Sequence, residues 1–181
     1  MLNYNSSGTK QWTKQLGTEE YDEARGVAAD SSGNVYVVGG TKGRLNGISN
    51  SGRTDAFMIK YNSSGTRQWT KQLGSASTDA ANGVATDSSG NVYVAGVTYG
   101  GLDGNSKGNS DLFVVKYNSS GTKEWTKQLG TEEYDEARGV ATDSSGNVYL
   151  TGGTKGGLDG NTSAGNTDLF VVKYNSSGTK Q

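Results

Sequence analysis

A unit of nearly constant length is written three times in succession, and this repetition limits the fold more than any other feature of the chain. Tyr4, Tyr61, Tyr117 and Tyr174 each open the phrase Tyr-Asn-Ser-Ser-Gly-Thr, at intervals of 57, 56 and 57 residues. A second phrase, Asp-Ser-Ser-Gly-Asn-Val-Tyr, stands at 30–36, 87–93 and 143–149, and Trp12, Trp69 and Trp125 keep step with it. Residues 17–28 and 130–141 are letter-for-letter identical. Such a chain makes one supersecondary unit repeatedly, and each unit buries its apolar surface against the next.

The pattern inside a unit predicts four strands. The first covers Ala24–Asp30, small and apolar around Gly26-Val27-Ala28. The second, Asn34–Thr41, and the third, Asp55–Tyr61, are apolar on both faces, as strands lying between other layers are. The fourth, Thr66–Leu73, alternates, with Trp69, Lys71 and Leu73 on one face and Gln68, Thr70 and Gln72 on the other. Its Lys and Gln suit an outer edge, where they discourage edge-to-edge aggregation. The small first strand suits a crowded place near an axis.

The connections point the same way. Asp-Ser-Ser-Gly-Asn and Asn-Ser-Ser-Gly-Thr are short hairpin turns, so neighbouring strands are antiparallel. The second-to-third connection is long (42–54, 100–110 and 155–167) and holds all the length variation. A repeated four-stranded antiparallel meander with its small strand inward is an all-β β-propeller blade. A β-solenoid is the weaker alternative, since its rungs are shorter and its strands parallel. The expected organisation is a single propeller segment over 1–181, with repeats at about 4–60, 61–116 and 117–173, and 174–181 starting a fourth.

Composition excludes several classes. The hydrophobic fraction is 31%, low for a globular chain, but a net charge of -1 and regularly spaced strand formers argue for short strands and polar turns rather than disorder. The near-neutral charge gives no basic surface for nucleic acid. No run is long enough to span a membrane as a helix. The chain has no Cys and no His, which removes disulfides, thiolate ligands and the commonest general base. Met1-Leu2 runs directly into repeat sequence, as in a chain made without a leader or a segment cut from something longer.

The residues Ala-x-Gly-Val-Ala-x-Asp-Ser-Ser-Gly-Asn-Val-Tyr-Val at 24–37 resemble the NHL and SBBP groups of bacterial propeller repeats. The continuation Leu-Asp-Gly-Asn to Thr-Asp-Leu-Phe-Val-Val-Lys-Tyr at 158–174 makes the resemblance closest to the SBBP type. The resemblance implies a propeller, usually in bacterial surface or secreted proteins, with no single shared activity. An Asp-box is not matched, because Gly8 lies four residues before Trp12 rather than three and Asn5-Ser6-Ser7 supplies no Asp. The quinone-cofactor repeat is not matched either, since Ala28-x-Asp30 is followed by neither its Thr nor its Trp. No cofactor is expected.

The strands add up to three blades, out of register by one strand. The chain begins with the end of a third strand and a fourth at Thr9–Leu16, and ends with a third strand and the start of a fourth. Closed propellers have about four to eight blades, so three leave unpaired flanks. The expectation is a homodimer of six blades, with the N-terminal strand completing the last blade of the partner. Its assembly residues would be Thr9, Gln11, Trp12, Thr13, Leu16, Phe170, Val172 and Tyr174. A longer array or a filament is the alternative.

Other candidates lie on the loop side. The acidic loop 18–23, repeated at 131–136, joins the long loops in carrying Glu19, Glu20, Glu23, Asp103 and Asp159, and reads first as a solvated rim. Asp103, Asn105, Asp159 and Asn161 resemble fragments of calcium loops, but Asp-Gly-Asn is also a plain turn signal. Asp55, Asp111 and Asp168, like Asp22, Asp79 and Asp135, recur at loop-to-strand junctions, where aspartates bond nearby amides. Tyr21, Tyr99 and Tyr134 could stack on sugar rings or pack as rims. The functional expectation is a non-catalytic scaffold whose partner is itself, with a multivalent lectin-like or calcium-assisted binding module using the long-loop face as the alternative and an enzyme last.

Overall fold

The structure, a computed structural model, describes residues 2–181, the side chain of Leu2 aside. Among these residues thirteen strands form four antiparallel sheets. A hairpin of β1 (Leu2–Tyr4) and β2 (Lys10–Thr13) comes first. The first sheet runs β3 (Asp22–Ala29), β4 (Val35–Thr41), β5 (Asp55–Tyr61) and β6 (Arg67–Leu73), in chain order from one edge to the other. The second repeats it with β7 (Asp79–Thr86), β8 (Val92–Thr98), β9 (Asp111–Tyr117) and β10 (Lys123–Leu129). The third has β11 (Asp135–Thr142), β12 (Val148–Thr154) and β13 (Asp168–Tyr174). Among the described residues no sheet closes on itself.

Each turn is built by its own side chains. Asp30 Oδ1 accepts the backbone N–H groups of Ser32 and Asn34, while Oδ2 accepts from the Asn34 amide and the Tyr36 hydroxyl. Burial raises the Asp30 carboxyl, but the bonds from Asn34, Tyr36 and Ser32 outweigh it and leave the pKa lowered. Gly33 turns the chain at φ +76°, a conformation that a side chain resists. Asp87 and Asp143 repeat the same bonds, which explains the insistence of the phrase as turn chemistry.

The first strand is longer than its pattern suggested. It starts at Asp22 rather than Ala24, because a β-bulge between Ala24 and Gly26 absorbs one residue and lets pairing continue to Thr41. The same bulge falls between Ala81 and Gly83 and between Ala137 and Gly139. Bulges re-aim the extra side chain, here Arg25, Asn82 and Arg138. In contrast, β2 is shorter than the expected Thr9–Leu16; among the described residues β1 offers Leu2, Asn3 and Tyr4 for pairing.

The sheets stack face to face. Tyr36, Val38, Ala56 and Met58 of the first sheet interdigitate with Ala81, Val92, Val94, Phe113 and Val115 of the second. Tyr93, Ala95, Leu112 and Val114 meet Ala137, Val148, Leu150, Phe170 and Val172 of the third in the same way. Trp69 and Trp125 seal these two layers, each about 6 Å from the tyrosine of the adjoining core (5.9 Å to Tyr36 and 6.0 Å to Tyr93). The two-sided apolar strands therefore lie between sheets, as their pattern requires.

Candidate functional site

The repeat unit makes its two ends the places to look, because every internal contact between sheets has an unmade counterpart there. Leu169 and Val171 on the outer face of β13 are 85% and 65% exposed. Their equivalents one repeat earlier, Leu112 and Val114, are fully buried, and so nearly are Ala56 and Met58. At the opposite end Val27 is 64% exposed and Ala24 is exposed beside it. The equivalents of Ala24, Ala81 and Ala137, are fully buried, and Val84 and Val140 pack against the cores between sheets.

The outer face of the first sheet is partly covered. Trp12 and Leu16 pack on Val35, Val37, Leu45, Phe57, Ile59 and Tyr61. Trp12 lies 6.1 Å from Tyr61, and its Nε1 donates to the Ser63 carbonyl. A cleft of about 300 Å³ remains between this hairpin segment and the sheet, walled by Leu16, Ala24, Val37 and Phe57. In an internal junction that space holds residues equivalent to Tyr149, Thr151, Leu169 and Val171.

The residues expected to mediate assembly divide accordingly. Trp12 and Leu16 belong to the partial cover, while Thr9, Gln11 and Thr13 are exposed. Phe170, Val172 and Tyr174 are buried within their own chain, against the second sheet. The strand is the edge of its sheet, but its outward side chains are Leu169 and Val171, which alternate with those three. A strand apolar on both faces offers no sequence signal for which face is already occupied.

The loop side is built around aspartates. Asp22 and Asp79 accept from the backbone and hydroxyl of Thr18 and Ser75, and from Thr41 and Thr98 across the sheet. Asp135 accepts from the backbone and hydroxyl of Thr131. Asp55 and Asp111 accept from the backbone of Ser51 and Lys107 and from the amides of Gln72 and Gln128. Asp168 accepts from the Ala164 N–H. These two glutamines also hold the long loops through Gly43, Leu45, Gly100 and Leu102, a role that the alternating pattern of the outer strand concealed. Burial pushes the Asp111 carboxyl up, with Asp135 adding to it, although Gln128 and Lys107 pull the other way.

The calcium-loop candidates are engaged locally. Asp103 accepts from the backbone of Asn105 and Gln128, Asp159 pairs with Lys180, and the Asn161 amide donates to the Leu158 carbonyl. Asp159 takes φ +62° and the corresponding Asn46 φ +56°, so the turn itself calls for Asp or Asn there. Among the described residues no three acidic groups converge as a metal site would need. Tyr21, Tyr99 and Tyr134 are exposed, with the ammonium of Lys42 5.8 Å from the Tyr21 ring and that of Lys155 4.9 Å from Tyr134. Tyr21 and Tyr99 also border a cleft of about 370 Å³ between the first and second sheets, with Glu23, Arg25, Lys42 and Glu136 around it.

Known proteins resemble this chain in fold or in sequence. A gluconolactonase from Xanthomonas campestris superposes with a TM-score of 0.52 at 10% identity, over 99% of this chain and 52% of its own, a likeness of fold alone. A regulatory protein of Caulobacter vibrioides, FlaEY, is 28% identical over 83% of this chain and 18% of its own length. An uncharacterized WD repeat-containing protein of Acanthamoeba polyphaga mimivirus is 25% identical over 91% of this chain and 16% of its own. The chain thus spans less than a fifth of either curated relative. The beta-propeller repeat profile SBBP matches residues 11–46, 68–103 and 124–159, one stretch in each repeat. The chain belongs to the SBBP β-propeller repeat family.

Proposed function

We propose that this chain is a non-catalytic interaction scaffold that completes itself by self-association, two copies of three blades each closing a six-bladed ring. The observation that carries this is the fit of its two ends. One end presents Leu169 and Val171 bare on an edge strand, and the other has a cleft beside Leu16, floored by Ala24, Val37, Phe57 and Ile59, with space for those side chains. In this assembly β2 of each copy serves as the fourth strand beside β13 of the other.

The register follows from the intact ladder between β5 and β6, where Ala56 faces Leu73, Met58 faces Lys71 and Lys60 faces Trp69. Carried over, Leu169 faces Leu16, Val171 faces Lys14 and Lys173 faces Trp12 of the second copy. Within one chain β1 already pairs with Thr13, Trp12 and Lys10 in that register, so it gives way to the longer β13. At the other edge the isolated bridge between Tyr174 and Lys180 opens to admit β2. The exchange replaces a three-residue strand by a seven-residue one and buries Leu169 and Val171, each worth about 1.5–3 kcal/mol. Two-fold symmetry doubles the gain.

The absence of catalysis in this reading is supported by the relatives, which are described as regulatory and WD repeat-containing, and by the local engagement of the repeated aspartates. Light scattering tests the assembly. The expected molar mass is that of two chains across micromolar concentrations; one chain's mass throughout would overturn it.

The cleft bordered by Tyr21 and Tyr99 favours a second reading, a lectin-like binder in which a sugar ring stacks on either tyrosine. A glycan array should then show ligands lost on Tyr99→Ala, and an array without signal ends this reading. A calcium-assisted form requires ions to displace the bonds of Asp103 and Asp159, and titration calorimetry without calcium heat would remove it.

A further inference from the structure

The bulged residues of the first two inner strands, Arg25 and Asn82, start a polar relay that runs from sheet to sheet. Arg25 Nη1 donates to Asn82 Oδ1 at 3.1 Å. Asn82 Nδ2 in turn donates to Glu136 Oε1 at 3.0 Å and to the Ala137 carbonyl at 2.9 Å. The relay thus passes from β3 through β7 to β11; each donor is the residue that the bulge turns out of the ladder, and the last acceptor, Glu136, stays in the ladder opposite Gly153.

Both ends of the relay are unfinished in a single chain. Arg138, the bulged residue of β11, is 71% exposed along its side chain, and its ion pair is with Glu136 of its own strand at 3.3 Å. Glu23 at the opposite end pairs with Arg25 of its own strand at 2.9 Å. Glu23 holds in β3 the place that Glu136 holds in β11, two residues before the bulged one. Asn82 reaches Glu136 from the preceding sheet, so the same step taken once more carries Arg138 to Glu23 of the next copy.

The backbone is cleared for this approach. A Cβ on Gly83 would come within 3.3 Å of the Arg138 carbonyl, which shows how closely β11 approaches β7. On Gly139, its equivalent, a Cβ would meet Thr151 of its own sheet and nothing from a further strand. A neutral rung is missing at this junction. Thr86 Oγ1 donates to the Ala29 carbonyl and Thr142 Oγ1 to the Thr86 carbonyl, but Ala29 has no hydroxyl to offer Thr142 of another copy. The junction between copies therefore depends more on charge than the internal ones do.

We infer that Arg138 of one copy pairs with Glu23 of a second copy, and that this pair selects the third sheet and first sheet as mates in the assembled ring. The inference rests on the self-association reading and adds to it the contact that sets the order of sheets. A pair in this setting couples the two residues, so that removing either removes the shared contribution.

The test is a double-mutant cycle on the full chain, with Arg138→Gln, Glu23→Gln and the double variant, read as dimer dissociation constants by sedimentation. Circular dichroism of each variant confirms that the sheets remain folded. Each single change should weaken the dimer about tenfold or more, because each alters two symmetry-related junctions, and the double variant should be no weaker than the weaker single. Losses that add, or singles that match the unmodified chain, overturn the pairing while leaving the dimer intact. An unmodified chain that stays monomeric overturns both the pairing and the self-association reading. If the unmodified assembly is larger than two chains, the cycle is read on the monomer–assembly equilibrium; coupling there supports the pair and rejects only the ring size.

Discussion

The heptapeptide Asp-Leu-Phe-Val-Val-Lys-Tyr is written twice, as β9 and as β13, in opposite surroundings. In β9 every residue is buried, with the second sheet's neighbours on both sides. In β13 Phe170, Val172 and Tyr174 keep their cover while Leu169 and Val171 lose theirs. The backbone conformation is the same in both, because local propensity and the ladder to the preceding strand suffice to make it. What differs is the next layer. A strand apolar on both faces is written for two neighbours, and where one is missing the sequence still asks for it.

This contrast can be broken most sharply by placing a charge at the same position of each strand. Leu112→Asp buries a carboxylate between sheets and should cost about 4 kcal/mol or more, a large part of a domain's stability, seen as loss of cooperative thermal unfolding. Leu169→Asp should leave the chain folded and abolish its self-association. Equal losses of fold from both would show that the third sheet depends on a covering layer even to form.

A gentler version removes methyl groups. Val114→Ala should destabilise by about 1.5–3 kcal/mol in urea titrations, whereas Val171→Ala in the monomer should change stability by less than about 0.5 kcal/mol. At concentrations where chains associate, the second variant should lower the apparent stability as well, because association favours the folded state by mass action.

The smallest effect concerns the turns, which are alike in all three repeats whatever covers the sheets. The Asn147 side chain holds the Asp143 carboxyl down to about 2, against an ordinary 3.8, with the Asn147 and Ser145 backbone and Tyr149 adding to it and desolvation opposing. A carboxyl lowered in the folded state stabilises fully above its unfolded pKa and loses that contribution as pH falls through the folded value. Stability should therefore decline between about pH 4 and pH 2. Asp143→Asn should flatten that decline slightly, and a midpoint unchanged in pH would contradict the turn's role. Asp111, raised by burial, works in the opposite direction and limits the slope.

Much of this fold was legible because repetition does the averaging that one segment cannot. The expected third strand coincides with β5, and the second and fourth differ from β4 and β6 by one residue at the start. The bulge was not legible. A period-two pattern has no symbol for the extra residue, so nothing in the alternation singles out Arg25 and Arg138 beside Gly26 and Gly139. The bare edge, β13, was legible only as a strand. Val172 and Val171 are chemically alike, and only the placement of the second sheet decides which is bare. At Asp159 the calcium-like letters coincide with a left-handed turn, which by itself favours Asp and Asn.

The claim that most needs a direct measurement is that β2 of one copy lies beside β13 of another in a fixed register. The chain has no cysteine, so a pair introduced as Lys14→Cys and Val171→Cys has no background. Its intact counterpart, Lys71 facing Met58, places such residues directly opposite across the ladder. Mild oxidation should convert the double variant into a covalent species of two chains on a non-reducing gel, reversed by thiol. Moving one cysteine by a residue, to Phe170, should turn it to the other face and abolish the product. A double variant that stays at one chain's mass under oxidation, or cross-links equally well from Phe170, would contradict the account.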